Sequence, residues 1–242
     1  MYFSLITSTP GQERQATREW WDCVRKRAEP YREHQLLWRF FPAPDGSKRD
    51  FLFRREDTQS LPRFYVVSER PASSPGMAWS VRTQPYQPKL QAGDCLRFIL
   101  RANPVIAVRR DGKSIRHDVV MHEKKRLLAE KGVRKWSDLP ENERPLSYEL
   151  VRQTCQTWLE KRAVEKGFAF DAHAENFAVD AYQPLRLDTA DKKNNDRGIR
   201  FTSVDFSGIL TVTDPERFQK ALVEGIGPAK AFGCGLLLVR PL

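Results

Sequence analysis

Hydrophobic and polar positions divide the chain into two successive runs of strands and helices. Tyr2 to Thr7 is a short, mostly apolar block closed by Ser-Thr-Pro, and reads as a first strand. Thr9-Pro10 opens a charged helical stretch towards Ala28, which Pro30 breaks. Tyr31 to Phe41 has helical spacing again and ends at Pro42 and the turn Pro44-Asp45-Gly46. Phe51–Arg54, Arg63–Ser68 and Trp79–Pro85 read as strands, the last running into a linker, Gln84 to Pro88. The sum is β-α-β-β with a closing strand.

The pattern then restarts. Cys95–Arg101 is a strong strand, and Val105–Arg110 and Lys113–Arg116 flank an Asp111-Gly112 hairpin turn. Val151, Cys155, Trp158, Leu159 and Ala163 recur at helical spacing within a long helix from about Tyr148 to Lys166. Phe177–Leu187 and Gly198–Val212 are strands around a polar tip, Asp188 to Arg197. Asp214-Pro215 caps a helix through Val223, because Asp accepts backbone N–H bonds and Pro suits the first turn. A glycine-rich loop, Gly225 to Gly235, precedes a last buried strand, Leu236–Val239. Two units of this order predict an α+β protein of two tandem ferredoxin-like (RRM-like) domains with antiparallel sheets, 1–88 and 93–242. The duplication follows from element order, since the sequence itself does not repeat. His122 to Leu146 fits neither unit and reads as an insertion.

Charge narrows the partner. The 242 residues carry a formal charge of +10, which suits an anionic partner, nucleic acid first and an anionic membrane surface second. No stretch is long and apolar enough to span a bilayer, and MYFSLITSTP lacks the basic and apolar regions of a signal peptide. Cys23, Cys95, Cys155 and Cys234 are scattered and form no C-x-x-C pair, so a zinc site is not expected, and free thiols suit a reducing cytoplasm. The expectation is a cytoplasmic protein without metal or cofactor.

Three constellations can carry chemistry. In GIGPAKAFGCGLLLV, Gly225, Gly227, Gly233 and Gly235 permit positive φ and close backbone approach, with Lys230 at the centre. Exposed N–H groups and a lysine make an anion cradle; the same glycines also suit a tight connection before a strand. Tyr31 and His34 lie three apart and share a helix face, beside an apolar arc of Leu36, Leu37, Phe40 and Phe41 that should pack on the sheet. Imidazole exchanges protons near neutral pH, Tyr31 can hold the nucleophile or phosphate, and Arg39 can stabilise charge on that phosphate. By spacing alone, a boundary histidine stacked on Trp38 is the commoner outcome. Basic residues crowd one region, including Arg109, Arg110, Lys113, Arg116, Lys124, Lys125 and Arg126, a phosphate-tracking pattern. The 188–197 tip balances Lys192, Lys193 and Arg197 against Asp188, Asp191 and Asp196. His117, His122 and His173 have no partners at metal or catalytic spacing.

Four stretches resemble the CRISPR repeat-RNA endoribonucleases of the type I-E Cascade complex, the CasE family of the RAMP superfamily. MYFSLI looks like the family's opening strand, and PYREHQLLW is similar to its catalytic segment. LRFILRANP resembles the strand opening its second domain, and GIGPAKAFGCGLL its terminal glycine-rich loop. The resemblance implies tandem ferredoxin-like domains and binding of the hairpin in each CRISPR repeat transcript. It implies metal-free cutting at the 3′ base of the stem by 2′-hydroxyl attack, with the product kept for the other Cascade subunits. His34 would then be the general acid or base and Tyr31 its partner. Lys192, Lys193 and Arg197 would lie on an RNA-inserting hairpin, with Arg39, Arg109, Arg110, Lys113, Gly227, Lys230 and Gly233 as further RNA contacts. The competing expectation is a non-catalytic RNA-binding subunit of a ribonucleoprotein on the same fold.

Overall fold

The structure, a computed structural model, describes residues 1–25, 29–110, 112–187 and 199–242. The polar tip that carries Lys192, Lys193 and Arg197 lies outside the described residues.

The first sheet comprises β1 (Tyr2–Ser8), β2 (Phe51–Glu56), β3 (Arg63–Ser68) and β4 (Trp79–Pro85), in the order β2-β3-β1-β4 with antiparallel neighbours. This is the ferredoxin-like order. Helices α1 (Glu13–Arg25) and α2 (Glu29–Trp38) make the crossover from β1 to β2. Pro30 sits in the first turn of α2, where a missing N–H costs nothing, so it starts this helix as well as separating it from α1. The predicted apolar arc is fully buried: Leu36, Leu37, Phe40 and Phe41 join Ile6, Phe53, Phe64, Val66 and Trp79 in one core.

One crossover departs from the ferredoxin-like pattern, in keeping with the element order read from the sequence. Between β3 and β4 there is no helix; residues 69–78 cross over as a loop. Arg70 fastens that loop to the end of the α2 segment. Its guanidinium donates to the Phe41 carbonyl at 2.8 Å, to the Pro42 carbonyl and to the Asp50 carboxylate at 2.6 Å. The loop 42–50 is thereby held at both ends, and Ser47 closes its turn on the Pro44 carbonyl.

The second sheet runs β11-β5-β10-β8, from β5 (Cys95–Ala102), β8 (Phe168–Phe170), β10 (Ile199–Val212) and β11 (Leu237–Pro241). The 14-residue β10 also pairs with β9 (Ala178–Leu187), so β8 and β9 share the place of one ferredoxin strand. Helices α4 (Ser147–Glu165) and α5 (Pro215–Glu224) cover one face with Leu150, Cys155, Trp158, Leu159, Phe218 and Leu222. The expected insertion, His122 to Leu146, begins inside a helix that follows a hairpin. β6 (Val105–Arg110) and β7 (Lys113–Asp118) form the expected hairpin, and α3 (Val119–Glu130) follows. Asp118 caps α3 by accepting from Met121 N–H at 2.8 Å. Val119 and Val120 are buried in the second core, and Leu127 and Trp136 pack against it, which makes the segment from His122 to Leu146 part of that core's cover.

The two sheets meet along Leu52, Val67 and Leu236, all buried. Beside this seam, Asp205 on β10 takes a bidentate pair from Arg101 at 3.0 and 2.7 Å and a third bond from Arg54 on β2 at 3.2 Å. That carboxylate ties both halves together.

Candidate active site

Helix α2 sets the position of His34. With its apolar stripe turned to the core, the helix leaves His34 half-buried at the edge, one turn before Trp38. Trp38 Nε1–H donates to His34 Nε2 at 3.1 Å, and the rings meet edge-on at 5.9 Å. Phe51 backs the imidazole at 6.1 Å. The contact with Trp38 expected from spacing is therefore real, but it is a hydrogen bond and not a stack. Burial first, and then the charge of Arg49, lowers the imidazole from 6.5 to about 4. The ring is neutral near pH 7, and a neutral ring accepting at Nε2 carries its proton on Nδ1.

His34, Trp38 and Arg49 open with residues 42–47 onto a hollow of about 480 Å³. The glycine-rich loop arrives on the same side, its 3-10 turn Lys230–Phe232 lying against α2 and β2. Its glycines are dictated by close packing. Gly225 has φ +76° and a Cβ there would sit 2.7 Å from the Gly235 carbonyl. Gly233, also at positive φ, lies on Phe53, where a Cβ would come within 3.2 Å of the ring. Gly227 faces Trp158 of the second core. Lys230 donates to the Glu224 carbonyl. Burial, Lys166 and then Arg49 push its ammonium below the usual lysine value, while Glu224 opposes them. The charge of Arg49 is thus felt both by His34 and by Lys230, one from each half of the chain, although Lys230 does not line the His34 hollow.

A second hollow, about 600 Å³, lies at the base of the β9–β10 hairpin. Arg116, Arg200 and Phe201 face the Ala229–Phe232 side of the glycine-rich loop there, and Phe201 stacks on Phe232 at 4.9 Å. The sequence-predicted loop therefore touches both the His34 corner and the root of the predicted RNA-inserting hairpin.

The family model described as CRISPR associated protein matches residues 1–241. The chain belongs to this CRISPR-associated protein family. It is 30% identical over 222 residues to the CRISPR-associated endoribonuclease Cse3 of Thermus thermophilus, covering 90% of this chain and 85% of that protein. It is 28% identical over 216 residues to the CRISPR system Cascade subunit CasE of Escherichia coli, covering 88% and 92%. Among solved structures, the CRISPR endoribonuclease Cse3 bound to a 19 nt RNA matches over all of both chains, with a TM-score of 0.66 and 25% identity.

In this family member the remaining expected residues are spread out. Arg39 is exposed and paired with Glu19 of α1 at 2.9 Å, and it does not line the His34 hollow. Arg109 is exposed on β6, and Arg110 and Lys113 face each other across the hairpin register, their side chains outside the described residues. Tyr31 belongs to α2, its side chain likewise outside them. Part of the basic run is consumed locally: Arg126 pairs with Glu123 and Glu130, Lys131 with Glu143, and Lys124 lies over Trp136. Sequence reasoning missed two residues. Glu33, buried under Gly233, binds Arg55 at 2.7 Å, and burial raises its carboxyl to about 7. Arg49 carried no local signal, because no periodicity links it to His34. Among the described residues, no group of three or more His, Cys, Asp or Glu is placed to hold a metal ion, and no helix is long and apolar enough to cross a membrane.

Proposed function

We propose that this protein is an endoribonuclease that binds the hairpin of CRISPR repeat RNA and cuts it at the 3′ base of the stem without a metal. The observation that carries the reading is a neutral imidazole that opens, together with Arg49, onto one hollow. It stands in a chain whose relative is named an endoribonuclease and has been solved with RNA. A phosphodiester offers two anionic oxygens to such cations and a 2′-hydroxyl to such a base.

The bond made and the bond broken both lie within the RNA, and the protons pass through His34 and water. The 2′-oxygen loses its proton to His34 and forms a bond to phosphorus, while the phosphorus–O5′ bond breaks and the leaving oxygen takes a proton from water or from the now protonated His34. The product is a 2′,3′-cyclic phosphate or, after water adds, a 3′-phosphate. His34 holds its acceptor lone pair at Nε2 against Trp38 N–H, so proton acceptance requires that bond to open when substrate enters. Tyr31 is the partner of His34, and Lys192, Lys193, Arg197, Arg109, Arg110 and Lys113 are contacts for the RNA stem. The working division is 1–88 for the catalytic unit and 93–242 for the RNA-holding unit. The matured RNA stays bound and passes with the protein into the Cascade complex, in the cytoplasm.

One incubation tests this. Repeat RNA in excess EDTA is cut, and a copy with a 2′-deoxy substitution at the cut site is not. His34→Ala binds the hairpin and cuts it far more slowly. Binding without any cleavage by the unaltered protein would favour the non-catalytic alternative, to which the satisfied His34–Trp38 bond gives some support.

A further inference from the structure

We propose that Arg49 is a catalytic residue of this site, its guanidinium donating to the non-bridging oxygens of the scissile phosphate. The proposal rests on the nuclease reading above and adds a residue to it.

The first observation is an unfilled donor set. Arg49 Nε and Nη1 are buried and have no hydrogen-bond partner among the described residues. A buried donor left unpaired carries its full desolvation penalty, and a larger one when the group is charged. Folded proteins place few such groups, and an anion that arrives later removes the penalty. Among the described residues, the contact that favours the cation is the ring of Phe51, 5.9 Å from the guanidinium carbon. That is the outer limit of a cation–π interaction, and it leaves Nε and Nη1 without a partner.

The second observation is how the acids around it are disposed. Asp50, the next residue, is taken by Arg70 at 2.6 Å. Glu33, next to His34, is taken by Arg55 at 2.7 Å. Among the described residues Arg49 forms no ion pair. Arg39, by contrast, already has Glu19. Two neighbouring carboxylates, Asp50 and Glu33, are thus taken by other arginines; Asp45 also lines the His34 hollow, but among the described residues it forms no ion pair with Arg49, the one guanidinium there.

The third observation is rigidity. Arg49 sits on the loop that Arg70 pins at the Pro42 carbonyl and at Asp50, so its backbone is set before any ligand arrives. A fork of donors held next to a proton acceptor, in a partly dry corner, is the arrangement that stabilises charge developing on a phosphate. Lys230 adds positive potential from the glycine-rich loop, and its own bond goes to the Glu224 carbonyl.

The test is single-turnover cleavage at saturating protein, using repeat RNA with either non-bridging oxygen of the scissile phosphate replaced by sulfur. Arg49→Ala should cut normal RNA about 10²–10³-fold more slowly, with hairpin affinity and melting temperature near those of the unaltered protein. Arg49→Lys should recover part of the rate, since it returns charge without the fork. Sulfur at one position should slow the unaltered protein, and this penalty should shrink in Arg49→Ala. An unchanged rate in Arg49→Ala, or equal sulfur penalties in both proteins, overturns the proposal and leaves the nuclease reading standing. If Arg49→Ala does not fold, the same comparison of sulfur penalties is made with Arg49→Lys. A protein that never cuts the hairpin, whatever its residue 49, takes down both.

Discussion

His34 offers a prediction whose size follows from its surroundings. In the folded protein the ring is half-buried against Trp38 and Phe51 with Arg49 nearby, and its pKa falls from 6.5 to about 4. The folded state therefore binds the proton less well than the unfolded chain. Stability from this group is complete above pH 6.5 and is lost as pH falls towards 4. Linkage sets upper limits of about 2 kcal/mol lost by pH 5 and about 3 kcal/mol by pH 4, and solvent screening of the half-buried ring lowers both. The perturbation is His34→Gln, which keeps an acceptor for the Trp38 N–H and removes the titration. Urea unfolding of both proteins at pH 7, 5 and 4 isolates the term, because every other titrating group is shared. The unaltered protein should lose more than the variant, within those limits. Parallel pH dependence would mean that the ring is not shielded in the fold. It would also remove the reason for assigning it a neutral, proton-accepting role.

Three further outcomes are expected. Asp205→Asn leaves Arg101 and Arg54 facing a neutral amide at the seam between the halves, and should cost about 2–3 kcal/mol of stability in urea unfolding, below the range for a fully buried pair because these side chains keep some exposure. Gly225→Ala should destabilise more than Gly227→Ala in the same measurement. Both residues have similar positive φ, but the new Cβ meets a fixed carbonyl at 2.7 Å in the first case and the Trp158 ring at 3.3 Å in the second. Arg39→Ala should change stability by no more than about 1 kcal/mol, as its pair with Glu19 is surface-exposed, and should leave the cleavage rate nearly unaltered; a large loss of rate would return Arg39 to the site.

The frame of the protein was legible where short-range rules act. Alternating blocks at Arg63–Ser68 and Trp79–Pro85 became strands with those bounds, and the Asp214-Pro215 cap opened α5. His34 lies at the edge of its apolar arc because helical geometry alone puts it there. The α3 helix escaped notice: its charged face, with Lys124, Lys125 and Arg126, hides the two residues, Val119 and Val120, that anchor it. The strand β8 has only three residues, too few for a period to register.

The chemistry of the corner was decided elsewhere. Composition and spacing supplied an imidazole, a set of glycines and an excess of cations. They also supplied the reason each is tolerated, from a helix edge to a positive φ. They did not say which cation would face the imidazole. That choice came from Arg70 holding the 42–50 loop over α2, and from the glycine-rich loop packing onto Leu52, Phe53 and Trp158. Each contact joins residues far apart along the chain, where local periodicity carries no information and only packing of the two sheets brings side chains together.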